Sequence, residues 1–317
     1  MPALKAIRTA HRAWSDYWFA GVDARSVGLM RLTLGALLVW SHLAYWPELT
    51  ELIGPESLVA ARNAGSGLDL ERLALYELAD TVEGVRILHA AFTLPLLAFA
   101  AGFGGRLMGL AALAVLVSLH HTNPWMQNGG DRILRVWTLS LLIVPCTRAF
   151  SIDAWIRTRR GKPRIPTVPV TAHRMIQLQT IILYGMSGLD KLEGSTWRSG
   201  SAVYYSMSNL NFNRFPGLLD PILAWRPAQI AMQFQTWVTL AWELSFPVLI
   251  LFWPTRMLAL AVGVLVHTGI GAFVMVGSFS LAILWTYLAF LDPDRLGAWA
   301  SRMATRIRGR AAARRSA

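Results

Sequence analysis

Apolar residues in this chain are gathered into long runs, and most charged residues fall between them. A helix that crosses a bilayer needs about 20 mostly apolar residues. Eight runs approach that length: Val27–Trp46, Val85–Gly102, Leu107–His121, Ile133–Thr147, Met175–Asp190, Ile230–Trp253, Met257–Val276 and Phe279–Leu291. The third, fourth and eighth are short for a span. The pattern predicts an all-α fold, a polytopic integral membrane bundle of about eight transmembrane helices. It divides the chain into an interfacial N-terminal segment (1–26), a transmembrane domain (27–292) and a basic tail (293–317).

Smaller features refine the pattern. Trp14, Tyr17, Trp18 and Phe19 sit beside charges, which predicts an interfacial helix over Ala13–Ser26. Leu68–Leu78 has helical apolar spacing and predicts a short external helix. Pro95 and Pro247 fall inside spans and should kink them or free backbone carbonyls. Gly105 and Gly109 have the small-xxx-small spacing that lets helices approach closely. Arg31 lies near the cytoplasmic end of the first run, where snorkelling is expected. The tail is expected to be an interfacial helix that frays.

Charge orients the spans. The chain carries 30 Lys and Arg against 18 Asp and Glu, a net +12. The cations cluster at the N-terminus (Lys5, Arg8, Arg12), in one loop (Arg157, Arg159, Arg160, Lys162, Arg164) and in the tail (Arg302, Arg306, Arg308, Arg310, Arg314, Arg315). The Pro47–Gly84 segment is acidic. Lysine and arginine are retained on the cytoplasmic side, so both termini and the Arg148–Arg174 loop are expected inside. Alternation through eight spans gives the same answer and puts His121–Asp131 and Lys191–Pro227 outside. The expected location is the cell (inner or plasma) membrane, multi-pass. Because the cations flank apolar spans, anionic lipid rather than nucleic acid is their expected partner. Cys146 is the single cysteine, which excludes an intrachain disulfide and a thiolate cluster. No cleavable signal peptide is expected: the first run starts near Val27, is long enough to span and lacks a clear small-x-small site.

Several polar residues interrupt the apolar pattern. The run from Met175 ends on Lys191, between Asp190 and Glu193. Two readings of Lys191 stand at this point: an ammonium that snorkels to the headgroups, or a partly desolvated amine that works as a base. Glu243 and His267 sit well inside apolar runs, where ionisable side chains are expensive and usually face the bundle interior. They lie at similar distances from the turn at Trp253–Thr255, which predicts a Glu243–His267 hydrogen bond, either as structural support or as a proton relay. Adjacent His120 and His121 point about 100° apart on a helix and make a poor joint ligand pair, so no metal site is expected. Asn128–Asp131 reads as a turn with Asp131 as the N-cap of the next helix. Trp197, Tyr204 and Tyr205 suit an aromatic belt or the walls of a ligand pocket. Asn209, Asn211 and Asn213 mark an ordered external loop or a lid.

Four segments together resemble the HTTM (horizontally transferred transmembrane) family, the membrane module shared with vitamin K-dependent gamma-carboxylase. They are Asp23-Ala24-Arg25-Ser26 with Arg31 and Gly35; Asn128-Gly129-Gly130-Asp131-Arg132 through Pro145 to Phe150-Ser151-Ile152-Asp153; Tyr184 and Ser187-Gly188-Leu189-Asp190-Lys191-Leu192 with Trp197 and Gly200–Tyr205; and Glu243, Phe246-Pro247 and His267. The resemblance implies a chemistry. In the carboxylase an external lysine deprotonates vitamin K hydroquinone, which reacts with oxygen to give a strong base and ends as the epoxide. That base removes a proton from a glutamate γ-carbon, to which carbon dioxide adds. The matching lysine is Lys191. The implied cofactor is an isoprenoid hydroquinone (menaquinol or vitamin K-like), with O2 and CO2 as co-substrates. Trp197, Tyr204, Tyr205, Asn128, Asp131, Glu243 and His267 become candidate quinone- or substrate-binding residues. The implied partners are membrane lipid and a peptide or protein substrate outside.

The chain departs from the carboxylase in two ways. Gly129 and Gly130 stand where the carboxylase has a histidine beside its asparagines, and no counterpart of the carboxylase's large lumenal region is expected after the membrane core. Other bacterial members of the family resemble partners in maturing secreted antimicrobial peptides. A lipid or peptide handler without turnover, and a structural subunit, therefore remain beside the enzyme reading.

Overall fold

Each of the eight apolar runs carries a helix in the computed structural model of the chain, which describes residues 2–55, 57 and 73–315. The helices are α1 (Pro2–Phe19), α2 (Ala24–Ala44), α3 (Leu49–Ile53), α4 (Val82–Ala101), α5 (Gly105–Thr122), α6 (Gly129–Leu142), α7 (Ile152–Arg159), α8 (Thr171–Glu193), α9 (Ser195–Arg198), α10 (Ala202–Ser208), α11 (Pro216–Ala224), α12 (Arg226–Leu249), α13 (Trp253–Phe273), α14 (Phe279–Thr286) and α15 (Pro293–Arg315). Among the described residues, three stretches are long and apolar enough to cross a membrane: Ala24–Ile53, Val82–Ala101 and Trp253–Phe273. The long α8 carries too many polar groups to join them, among them His173, Arg174, Gln177, Gln179, Asp190 and Lys191. Large apolar side chains point outward from the spanning helices, such as Leu94 on α4 and Leu265 on α13. In hydrocarbon such a face is solvated; in water it would drive aggregation.

The chain forms two compact units, Met1–Met175 with Leu288–Ala317, and Ile176–Tyr287. In the first, α2 presents Val27, Met30, Arg31, Leu34 and Leu38 at helical spacing, all fully buried. The helix expected over Ala13–Ser26 stops at Phe19 instead. Gly21–Asp23 is a strand, β1, paired antiparallel with β2 (Thr167–Pro169), Val22 opposite Val168. Asp23 then caps α2 by accepting the Arg25 N–H at 2.8 Å, and its own N–H donates to Asp294 of α15. The tail helix, α15, is docked at its start by this bond and by buried Leu296 and Ala300, and is mostly exposed from Arg302 to Ile307.

Arg31 does not snorkel. Its guanidinium is buried and donates to the carbonyls of Cys146 (3.2 Å), Phe99 (2.8 Å), Ala100 and Phe150. Carbonyls at the end of α4 and in the turns after α6 take the hydrogen bonds that headgroups would otherwise have accepted. Of the two glycines expected to pack helices, Gly109 does so: a methyl group there would lie 2.2 Å from Leu142. Gly105 instead donates its N–H to Asp153. The expected helix over Leu68–Leu78 is described only in part; Leu75–Leu78 is a single 3-10 turn, and Leu68–Glu71 with Arg72 lie outside the described residues.

The second unit holds α8 from Ile176, the short α9–α11, and α12–α14. Pro247 lies within α12. The asparagine loop is tied to the end of α13: Arg214 donates to the Phe273 carbonyl at 3.1 Å and Met275 to that of Phe212 at 2.8 Å. Leu219, Leu223 and Met232 form a small core that Tyr204 and Phe273 also join.

Candidate functional site

On α8, Tyr184, Ser187 and Lys191 recur at i, i+3 and i+7 and so share one face. Gly188, between them, lets α12 approach; a methyl group there would meet Leu244 at 3.0 Å. The Lys191 ammonium donates to Glu243 Oε2 of α12 at 2.7 Å and to Ser187 Oγ at 2.5 Å. The Lys191 side chain is 22% exposed and that of Glu243 9%. Asp190 and Glu193 are exposed and leave the pairing to Glu243.

Beyond Lys191 the chain turns at Gly194, and α9 brings the Trp197 ring under the ammonium, 5.1 Å from nitrogen to centroid. Two bonds from α12 hold this turn: Trp237 Nε1 donates to the Arg198 carbonyl at 3.1 Å, and Gln233 to that of Ser199 at 3.2 Å. An aromatic face under a cation contributes about 0.5–2 kcal/mol, more as water is removed. Lysine has three N–H donors; two are committed to oxygen, and the third is left for a ligand.

A second set of polar groups lies deeper. The Tyr184 hydroxyl contacts His267 Nε2 at 2.8 Å and the Tyr287 hydroxyl at 2.6 Å. All three residues are buried. Trp242 and Phe246 pack on the Tyr184 ring at 4.8 and 4.3 Å between centroids. Gly263 of α13 makes room for Tyr287, whose hydroxyl would lie 2.0 Å from any added methyl group. The expected Glu243–His267 bond is not formed. Glu243 serves Lys191, and His267 serves Tyr184. Equal depth on neighbouring helices fixes height but not which way a side chain faces, and α8 supplies the nearer partner for each.

Tyr204 packs in the Leu219–Leu223–Met232 core, and Tyr205 is exposed. Asn128 and Asp131 belong to the first unit and form a capping box. Here Asn128, not Asp131, is the N-cap: the Asn128 side chain accepts the Asp131 N–H at 3.2 Å, and Asp131 Oδ2 accepts the Asn128 N–H at 3.1 Å. The helix, with two glycines at its first positions, starts three residues earlier than expected. Asp131 Oδ2 also accepts from the Tyr45 hydroxyl at 3.0 Å and lies 3.3 Å from His120 Nε2. Among the described residues, no three His, Cys, Asp or Glu side chains converge as a metal site would require. Ser187 and Tyr184 stand in a segment that carries the family resemblance but, like Tyr287, are not among the candidate site residues read from the sequence. The first two had a signal, their spacing from Lys191 on one helix face; Tyr287 had none.

A predominantly helical chain with lipid-suited helices and a part-buried ion pair at a helix end is a helical membrane protein. The HTTM domain model matches residues 131–295, just over half of the chain, and the chain belongs to that family. The match contains Lys191, Trp197, Glu243 and His267 and begins after Asn128. Among curated proteins, the chain is similar to "Sporulation-delaying protein SdpB" of Bacillus subtilis (strain 168), 27% identical over 200 residues, which is 61% of this chain and 59% of that relative. The chain therefore spans less than two thirds of that relative's length. No solved structure matches.

Proposed function

We propose that the chain is a carboxylase-related, multi-pass protein of the cell membrane, with eight spans and both termini cytoplasmic, that binds an isoprenoid hydroquinone and deprotonates it with Lys191. Residues 27–292 form the membrane domain, between the interfacial segment 1–26 and the basic tail 293–317. The observation that carries the reading is the Lys191–Glu243 pair, held at 2.7 Å beside the Trp197 ring, with the lysine side chain 22% exposed. A flat aromatic ring with a hydroxyl fits that set: Trp197 offers a face, and Lys191 a nitrogen within reach of solvent. When bound, the hydroquinone supplies the oxygen-dependent generation of a strong base, with O2 and CO2 as co-substrates and a peptide or protein on the external side as acceptor.

The residues manage the proton. As an ion pair, Lys191 is an ammonium and cannot accept one. Glu243 is placed to hold the proton while the amine is free, and the pair remains neutral overall. Covering the pair with an apolar ring removes water, and desolvation penalises the charged arrangement relative to neutral amine and acid. The free amine then takes the hydroxyl proton, so the ammonium is restored while Glu243 stays protonated and the negative charge resides on the ligand oxygen. Ser187 orients the amine. Tyr184, His267 and Tyr287 form the buried polar support beneath it.

The test is hydroquinone turnover in membranes. Lys191→Ala should lower it by about 10²–10⁴-fold, the usual contribution of a general base; unchanged turnover removes the proposed base. The similarity to SdpB favours a second reading, a lipid or peptide handler in antimicrobial-peptide maturation or export that uses the same residues without turnover. Lipid that copurifies with the wild type but never changes redox state supports that reading over the first.

A further inference from the structure

A cavity of about 650 Å³ opens in the first unit, among residues that play no part in the Lys191 site. Its walls come from the start of α5, the turn at Pro145–Arg148, and α7 with the turn that follows. Five cations line it: Arg106, Arg148, Arg157, Arg160 and Lys162. The one acid in the lining, Asp153, is already engaged, since its two oxygens accept the Gly104 and Gly105 N–H groups at 3.0 and 2.9 Å. Among the described residues, no carboxylate forms an ion pair with any of the five cations. Arg106 and Arg157 each spend one N–H on a carbonyl, of Ile143 and Pro163 respectively, both at 2.9 Å. A guanidinium has five such donors, so these bonds aim the groups and leave most of their capacity open.

The wall itself is built on positive charge. Buried Arg31 donates to the carbonyl of Cys146, which lines the cavity, and to that of Phe150 just beyond it. Cations on a solvated loop spread apart; here five converge on one concave surface with a sixth fixed behind it. Large apolar side chains flank the same positions in the open: Leu107, Ile143, Ile152 and Trp155 are 68%, 45%, 41% and 57% exposed. A ligand with a phosphate for the cavity and hydrocarbon for that rim matches both halves. We propose that this cavity is a binding site for the phosphate of an acidic phospholipid, a discrete site rather than the general attraction of a basic loop to a membrane.

The test uses the full chain in nanodiscs of phosphatidylcholine with a minor fraction of phosphatidylglycerol, followed by native mass spectrometry of the released protein. Wild type should retain phosphatidylglycerol, and Arg148→Gln with Arg157→Gln should lower that retention by about tenfold or more, each cation near a surface being worth about fivefold. The tail pair Arg302→Gln with Arg306→Gln should retain it as wild type does. Should the first variant fail to fold, Arg160→Gln with Lys162→Gln, both exposed, carries the same expectation. Retention unchanged in the pocket variants, or lost equally in the tail variant, overturns the proposal. A parallel arm adds inorganic phosphate. If it displaces phosphatidylglycerol and protects wild type against thermal unfolding to the same extent, the site serves a soluble phosphate and the lipid assignment fails; no displacement supports the lipid.

Discussion

Each compact unit buries a carboxylate beside a nitrogen base, and the two are finished differently. Asp131, in the first unit, is 4% exposed, and one of its oxygens receives the Tyr45 hydroxyl and the Asn128 N–H with His120 close by. Its partners come from three places in the sequence and hold a helix start in position. Glu243, in the second unit, faces an ammonium that keeps a donor in reserve and lies on an aromatic ring. A carboxylate saturated by fixed donors is a structural joint. One that shares a movable proton with a partly accessible amine is equipped for chemistry. Both carboxylates fall in the polar punctuation of the chain, and only their surroundings separate them.

The largest effect that would separate them is on turnover. Beyond Lys191→Ala, Glu243→Gln removes the group that holds the lysine proton and should lower hydroquinone turnover by about 10²-fold. The double variant should be no worse than Lys191→Ala alone, because groups acting as a unit are not additive. Additive losses in membranes would mean that the two side chains work separately.

Asp131→Asn should leave turnover per folded molecule unchanged and cost about 1–3 kcal/mol of stability, the penalty for disturbing buried hydrogen-bond partners, read as a lower melting temperature in detergent. A loss of turnover equal to that of Glu243→Gln would erase the contrast. The pH dependence has a definite sign. Burial alone would raise the Asp131 carboxyl, but the His120 ring, the Asn128 N–H and the Tyr45 hydroxyl overcome it and hold the carboxyl below its ordinary value of 3.8. Its contribution is therefore present at neutral pH and is lost as pH falls through the lowered folded value. The melting-temperature gap between wild type and Asp131→Asn should narrow in that acid range.

Gly263→Ala is expected to be milder in kind. The added methyl group meets the Tyr287 hydroxyl and should displace it from Tyr184, destabilising by about 1–3 kcal/mol as overpacking does. Turnover should fall less than for Glu243→Gln, since Lys191 keeps its partners. A stability equal to wild type would show that the Tyr184–Tyr287 contact is dispensable.

The length of the apolar runs located α2, α4–α6, α8 and α12–α14, because a 20-residue apolar stretch has few other ways to satisfy its backbone; the short α3, α7 and α9–α11 lie outside those runs and were not located. It did not locate the β1–β2 pairing, where three-residue strands lie far apart in sequence and carry no alternation long enough to read. Arg31 was legible as a charge inside an apolar run, but the carbonyls that receive it come from the ends of α4 and from Cys146 and Phe150, which only the folded chain brings together. At the site, Lys191, Glu243 and His267 stood out as ionisable groups among apolar ones. Their pairing did not, because rotation about a helix axis is settled by packing such as that of Gly188 on Leu244. Trp197 was legible as an aromatic near the lysine, whereas Tyr204 and Tyr205 share that nearness in sequence and pack elsewhere.

The most direct measurement is mass spectrometry of lipid extracted from the purified protein before and after exposure of the reduced sample to oxygen. The account predicts an isoprenoid hydroquinone bound to wild type that is converted to its epoxide, and the same hydroquinone bound but unconverted in Lys191→Ala. Wild-type protein that carries no quinone, or a Lys191→Ala variant that forms epoxide as fast as wild type, would contradict it.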